Sequence, residues 1–231
     1  DNQVVAPVPW FPSTSPRFGE YARLARVPRR EERDGVAIAH PRYPVVPGVS
    51  WRFSPLLMYA ATVGCVRALH ARHRFDVIDA HFVYPDGVAA SLIGRALGLP
   101  VVVTARGSDV SLMPGYALPR RFIRAAIARV DALIAVSEAL RAVLLELGAD
   151  PARVHVLRNG VDLAKFAPLD ASALRARLVP AGHRMLLAVG NLVELKGQHL
   201  VIEALTRLPE TALVIVGDGP EKSALIQLAA R

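Results

Sequence analysis

Apolar residues fall along this chain in two alternating rhythms. Short blocks at residues 4–8, 36–39, 76–80, 101–104, 131–136 and 154–157 have the length and β-branched content of buried strands. Between them, helical spacing runs through 54–73, 88–97, 118–130 and 137–147. In the first of these, Leu57, Ala61, Val63, Val66 and Leu69 recur at helical intervals, and Arg72, His73 and Arg74 close it with the charge a helix C-terminus favours. Ser137 is placed to cap the last, and Gly148 to stop it. Strand alternating with helix predicts an α/β fold built on a parallel, doubly wound sheet.

Two stretches break the rhythm. Residues 1–55 hold nine of the 18 prolines, and no helical period crosses 9–35, so this region is expected to be a long irregular excursion. There Arg23, Arg26, Arg29, Arg30 and Arg33 mix with Glu20, Glu31, Glu32 and Asp34, the composition of a solvated loop. The second break lies around Pro168 and Pro180, with one short helix at 172–178. The pattern then restarts: strand 185–189, turn 190–194, helix 197–208, strand 212–216, turn 217–220 and helix 221–230. The expected organisation is a first domain at 1–165, a linker at 166–182 and the beginning of a second domain at 183–231. Two strands are too few for a doubly wound domain, and the first domain opens in mid-pattern. The chain is therefore expected to be a fragment cut at both ends.

Composition narrows the class. Hydrophobic residues make up 52%, yet no run of eighteen lacks charge, which predicts a soluble protein without a membrane-spanning helix. The single Cys65 excludes an internal disulfide framework, fits a reducing, cytoplasmic compartment, and reads as a small hydrophobe within its helix. The net charge of +8 is carried mostly by arginine, which suits phosphorylated substrates or an anionic membrane surface as partners. Nucleic acid is set aside, since zinc-finger spacing, an RNP-like strand and a basic zipper are all missing. The helix at 118–130 sets Arg120, Arg121, Arg124 and Arg129 beside Phe122, Ile123 and Ile127, a pattern for lipid contact or for a solvated face on a packed helix.

Candidate chemistry gathers after the strands. The strand at 76–80 ends on His81 and turns through Pro85, Asp86 and Gly87; the next ends at Arg106, Gly107, Ser108 and Asp109. Parallel neighbours would bring both to one edge, where α/β sheets bind ligands. A neutral imidazole there can hydrogen-bond a sugar hydroxyl, and Arg106 can pair with phosphate. Asp79 and Asp86 are an acid–base candidate whose separation no spacing rule fixes. Further on, Gly190 and Asn191 open a turn leading to Lys196 and Gly197 at the mouth of a helix, a phosphate-binding arrangement. Gly217, Asp218 and Gly219 should project from the neighbouring strand, so that a diphosphate fits between the two loops. Taken singly, each loop also reads as ordinary turn chemistry. No Walker sequence, G-x-G-x-x-G, nucleophile elbow or metal-ligand spacing occurs.

Together these segments resemble the retaining glycosyltransferases of family 4, with the GT-B fold of two Rossmann-like domains. The resemblance runs from Val4 to Trp10, through 76–81 with its Pro-Asp-Gly turn, 101–109, 131–138 and 156–162 with Phe166 and Pro168, to 189–197 with 216–220. It implies an acceptor, a glycan or lipid-linked molecule, held mainly by the first domain and a nucleotide-sugar donor held by the second, with no cofactor and no metal. Lys196, with Gly197, Asn191 and Gly190, would hold the donor diphosphate. Gly217, Asp218 and Gly219 would form the nucleotide loop. His81 would be catalytic, touching the transferred sugar, with Arg106, Gly107 and Asp109 on the acceptor side. Asn191 stands where many relatives carry a second phosphate-binding arginine, and Arg106 where a histidine is common. Relatives add a glycine-rich loop before the first segment and a pair of glutamates after the last, so the fragment alone is expected to be inactive. The resemblance also implies a cytoplasmic enzyme, peripheral on the inner face of the membrane. A nucleotide-sugar epimerase of the same fold, or a non-catalytic nucleotide-sugar or polyanion binder, are the alternatives.

Overall fold

In the computed structural model, which describes residues 2–46 and 48–230, the chain forms two compact units, 1–160 and 161–231. The first is laid down as β1 (Val4–Val5), β2 (Val8–Trp10), α1 (Glu20–Leu24), β3 (Arg30–Arg33), β4 (Val36–Ala39), β5 (Arg42–Pro44) and α2 (Ser54–His73). It continues with β6 (Ile78–His81), α3 (Val88–Leu97), β7 (Val101–Ala105), α4 (Ser108–Ser111), α5 (Ala117–Ile127), β8 (Ala132–Ala135), α6 (Glu138–Glu146) and β9 (Val154–Val156).

Strands β6, β7, β8 and β9 make a parallel sheet in chain order, with His81 opposite Thr104 and Ala105 opposite Ala135. In the core cluster built on it, Val83, Val103, Val110, Ile123, Leu133 and Leu144 are at most 2% exposed. Burying side chains of this size contributes about 1.5–3 kcal/mol each. The loops that leave the carboxyl ends of β6 and β7 thus stand on the main hydrophobic core cluster of the unit.

The strand expected at 4–8 is two strands of one interrupted ladder. Val4 faces Ile38 and Val8 faces Arg42 in the same parallel register. Pro7 and Pro41 break the ladder because neither has an N–H to give. The amides of Ala6 and Val8 carry it past the break, to Ala39 O (2.9 Å) and Pro41 O (2.8 Å).

The excursion expected to be irregular is partly regular. Besides α1 it contains β3, paired antiparallel with β4 through Asp34 and Gly35, both at positive φ (50° and 78°). That two-residue turn matches the twist of the flanking strands. Arg30, Glu31, Glu32 and Arg33 supply no apolar face, so β3 exists by pairing rather than burial. Buried His40 ties the region together, Nδ1 to Ala6 O (2.9 Å) and Nε2 to Glu31 Oε1 (3.2 Å). Elsewhere α2 and α3 keep the expected bounds, and the Leu140 amide donates to the Ser137 cap at 3.3 Å. Cys65 is partly buried in α2, and burial pushes its thiol up.

The second unit contains α7 (Ser172–Leu178), β10 (Arg184–Val189), α8 (Gln198–Leu205), β11 (Thr211–Val216) and α9 (Lys222–Ala229). Its two strands are parallel and in register from Arg184 opposite Thr211 to Val189 opposite Val216. Leu192, Ile202 and Leu225 form its small core. Among the described residues no helix is long and apolar enough to cross a membrane.

Candidate functional site

In the first unit β6 and β7 end side by side, the Phe82 amide donating to Thr104 O at 2.9 Å. This brings Arg106 Nη2 to 2.6 Å from His81 Nδ1. Arginine carries donors only, so Nδ1 accepts and the ring proton of a neutral His81 sits on Nε2. Nε2 lies 3.6 Å from Asp79 Oδ2. Arg106 Nη1 donates to Asn159 Oδ1 at 2.9 Å. In this arrangement the guanidinium, read from sequence as a phosphate partner, orients His81 and anchors the loop after β9.

Asp109 is 2% exposed and faces inward. Its carboxylate accepts from the backbone amides of Val83 (2.6 Å), Gly107 (2.7 Å) and Arg106 (3.1 Å). It staples the loop after β6 to the loop after β7, and so holds His81 and Arg106 in reach of each other. Gly107 contributes its amide to this staple.

The two acidic candidates differ in setting. Asp79 is exposed beside His81, whereas Asp86 is pushed up to about 6 by burial. The Asp109 charge adds to that rise; Asp86's own backbone amide and His81 oppose it.

Beside these loops opens a pocket of about 420 Å³, walled by Trp51, Phe82, Tyr84 and Tyr116 with Ser108 and Asp109. The Trp51 and Tyr116 rings meet edge to face at 4.7 Å. Tyr84 donates its hydroxyl to Trp51 O at 2.6 Å, and burial pushes that hydroxyl up to about 12. Sequence reasoning missed this wall, because its residues come from four separate segments that no periodicity links.

In the second unit the loops after β10 and β11 are zipped together. Gly190 N donates to Val216 O (3.0 Å), Leu192 N to Asp218 O (2.9 Å) and Glu221 N to Leu192 O (3.0 Å). A Cβ on Gly217 would lie 1.9 Å from Gly190 O, and one on Gly219 would lie 2.4 Å from Leu192 O. Both glycines are therefore required by the neighbouring loop's backbone. Leu192 plugs the junction from below at 4% exposure, and buried Gln198 reaches Asn191 O from α8 at 3.3 Å. Both escaped the sequence reading, although an apolar residue inside a Gly-Asn loop was a visible signal.

Lys196 ends a short 3-10 turn, Glu194–Lys196, and Gly197 follows at φ 66°, a left-handed step that starts α8. The Lys196 ammonium is exposed and makes no hydrogen bond or ion pair among the described residues. Asp218 is exposed, accepts from Gly219 N (2.8 Å) and lies 3.6 Å from Lys222. The parallel strands thus bring Gly190, Asn191, Gly217, Asp218 and Gly219 to one edge, with a free cation on the loop leading to α8. Among the described residues no cluster of three or more His, Cys, Asp or Glu could hold a metal.

Two family models match: Glycosyltransferase Family 4 over residues 21–165 and Glycosyl transferases group 1 over 172–231. TuaC of Bacillus subtilis (strain 168), a glycosyltransferase named for teichuronic acid biosynthesis, is 32% identical over 98% of this chain and 59% of its own length. The chain spans about half the length of the curated relatives it matches, the next two at 50% and 44%. Among solved structures, Anabaena HepE in complex with UDP and glucose has a TM-score of 0.63 at 22% identity, over 85% of this chain and 52% of that one. A Listeria monocytogenes protein described as a UDP-N-acetylglucosamine 2-epimerase has a TM-score of 0.54 at 14% identity, over 99% of this chain and 57% of that one. At such identities these likenesses establish the fold, the α/β GT-B class expected from the strand and helix pattern.

Proposed function

The chain belongs to glycosyltransferase family 4, and from that premise we propose that it serves the transfer of a sugar from a nucleotide-sugar donor to a glycan or lipid-linked acceptor. The observation that carries this reading is the zipped pair of loops after β10 and β11, with the unpartnered Lys196 ammonium on the first. Such a site offers a rigid backbone edge and one cation to a diphosphate. The complex of HepE with UDP and glucose supports a donor of that chemistry.

In this reading the transfer proceeds with retention and without a metal or cofactor. The acceptor oxygen bonds to the anomeric carbon on the face from which the diphosphate departs. The bond from that carbon to the phosphate oxygen breaks, and the acceptor proton passes to the leaving diphosphate. Lys196 stabilises the charge growing on that group, the kind of interaction that contributes most to such reactions. His81 meets the transferred sugar through Nε2–H, the ring donor that Arg106 leaves free. The acceptor side is assigned to the domain at residues 1–165, and residues 183–231 are assigned to the donor side. The basic surface suits an anionic membrane on the cytoplasmic side, where a lipid-linked acceptor would be met.

A radiolabelled nucleotide-sugar screen on the protein carrying this chain tests the proposal. Label appearing in an acceptor with nucleoside diphosphate released supports transfer. Epimerised free sugar would favour the epimerase reading, to which the likeness to the Listeria protein lends weight. Binding without turnover of any donor would favour a non-catalytic binder.

A further inference from the structure

We propose that a second cleft of the first unit, at the amino ends of β7 and β8, binds a phosphomonoester; the site goes beyond the transfer reading and does not depend on it. The cleft, about 570 Å³, lies between the last turns of α3, the loop from α3 to β7 and the loop from α5 to β8. His81 and Arg106 stand at the other, carboxyl edge of the same parallel sheet. From Val101 to Ala105, β7 rises about 13 Å between the two edges. Gly94 lets α3 close down on β7, since a Cβ there would lie 2.2 Å from Val101 Cγ2. Arg95, the next residue, and Arg129, just past α5, both line the cleft and are exposed at its rim.

The donors left free decide among ligand classes. Neither the Arg95 nor the Arg129 guanidinium has a hydrogen bond or ion pair among the described residues. The loop amides are spent: Gly98 and Leu99 on Gly94 O, Arg129 on Ala126 O, Asp131 on Val101 O at 2.9 Å and Val101 on Asp131 Oδ2 at 2.8 Å. Ser91, 3% exposed, gives its hydroxyl to Val88 O at 2.8 Å. A neutral polar ligand therefore finds no uncharged donor in these loops. A cation would meet two guanidiniums against one carboxylate that already serves the Val101 amide. A phosphate dianion can pair with both guanidiniums in the forked geometry they favour. The C-terminal dipoles of α3 and α5 oppose an anion, but weakly beyond the last turn, and two charge-assisted forks outweigh them. The volume exceeds that of bare phosphate, and Leu99, Pro100 and Val101 give an apolar wall to an organic body esterified to it.

Amide NMR of the isotope-labelled chain, titrated with glycerol 3-phosphate, tests the site where it lies. The Gly98, Leu99, Val101 and Asp131 amides should shift saturably. Arg95→Gln and Arg129→Gln should each weaken binding about 10-fold and Arg129→Lys about 3-fold, with unchanged thermal unfolding. Glycerol, and sodium chloride at matched ionic strength, should leave these amides in place. Vesicles separate the two sources of the phosphate. Phosphatidylcholine vesicles carrying phosphatidic acid that retain the parent and release both Gln variants would make the ligand a lipid headgroup; binding of glycerol 3-phosphate without such retention would make it a soluble ester. The proposal is overturned if neither source saturates these amides, if chloride or glycerol shifts them equally, or if both Gln variants bind like the parent. Shifts confined to residues 190–197 and 217–222 would overturn it too, by placing the phosphate in the diphosphate site proposed above.

Discussion

Removal of the Asp109 carboxylate tests whether one buried side chain holds the two loops of the first unit together. Three amides depend on it: Val83 at 2.6 Å, Gly107 at 2.7 Å and Arg106 at 3.1 Å. In Asp109→Ala the Val83 amide, on a residue 1% exposed, finds no water and bears a full desolvation cost of about 2–3 kcal/mol. The other two are partly accessible to solvent, and about 1 kcal/mol each is a fair charge for them. The expected loss is about 4 kcal/mol, a large share of the ~5–15 kcal/mol that holds a domain. Asp109→Asn keeps one acceptor oxygen but turns an N–H donor toward amides, so about 2–3 kcal/mol is expected. Circular-dichroism melts should show the Ala variant lower by about 8–16 °C and the Asn variant between it and the parent. Hydrogen exchange should be fastest to change at Val83, Arg106 and Gly107. Losses under about 0.5 kcal/mol in both variants would refute the staple.

Other consequences follow from single geometries. Burial holds the Asp86 pKa at about 6, above its ordinary 3.8, so between these values the folded chain binds the extra proton and stability falls as pH rises, levelling off above 6. Asp86→Asn should therefore gain about 3 kcal/mol in denaturant titrations at pH 8 and nothing below about pH 4; an equal gain at both would contradict the sign. Gly217→Ala drives a Cβ to 1.9 Å from Gly190 O and should destabilise the second unit by about 2–3 kcal/mol, whereas Gly160→Ala, with nothing within 4 Å, should be near neutral in the same melts. Arg106→Ala should release His81 into a mixture of tautomers, and Arg106→Lys should restore it only in part, because one ammonium cannot span His81 and Asn159. Imidazole nitrogen shifts identical to the parent in both variants would rule out that orienting role.

The alternation of β-branched blocks with helical spacing made the four-stranded sheet readable, and α2, α3 and α7 start and stop where expected because prolines, glycines and terminal basic residues punctuate them. Strand β3 was hidden because its four residues are all charged; its visible trace was the Asp34-Gly35 pair that turns it onto β4. The convergence of His81 with Arg106 followed from parallel neighbours. What Arg106 does there could not, since its partners lie 25 and 53 residues away and only coordinates join them. For the same reason Asp109 read as a ligand-side carboxylate, while its contact with the Val83 amide turns it inward. The glycines at 217 and 219 were read as a nucleotide loop, whereas the backbone that crowds them is that of residues 190–192.

The central claim is that the zipped loops and Lys196 form a diphosphate site, and calorimetric titration of this chain with UDP, ADP and GDP tests it most directly. One of them should bind at a single site, and Lys196→Ala should weaken it at least about 10-fold, or about 1.4 kcal/mol, with the fold intact. Equal affinity in parent and variant, or no heat from any of the three at about 5 mM, would contradict the account.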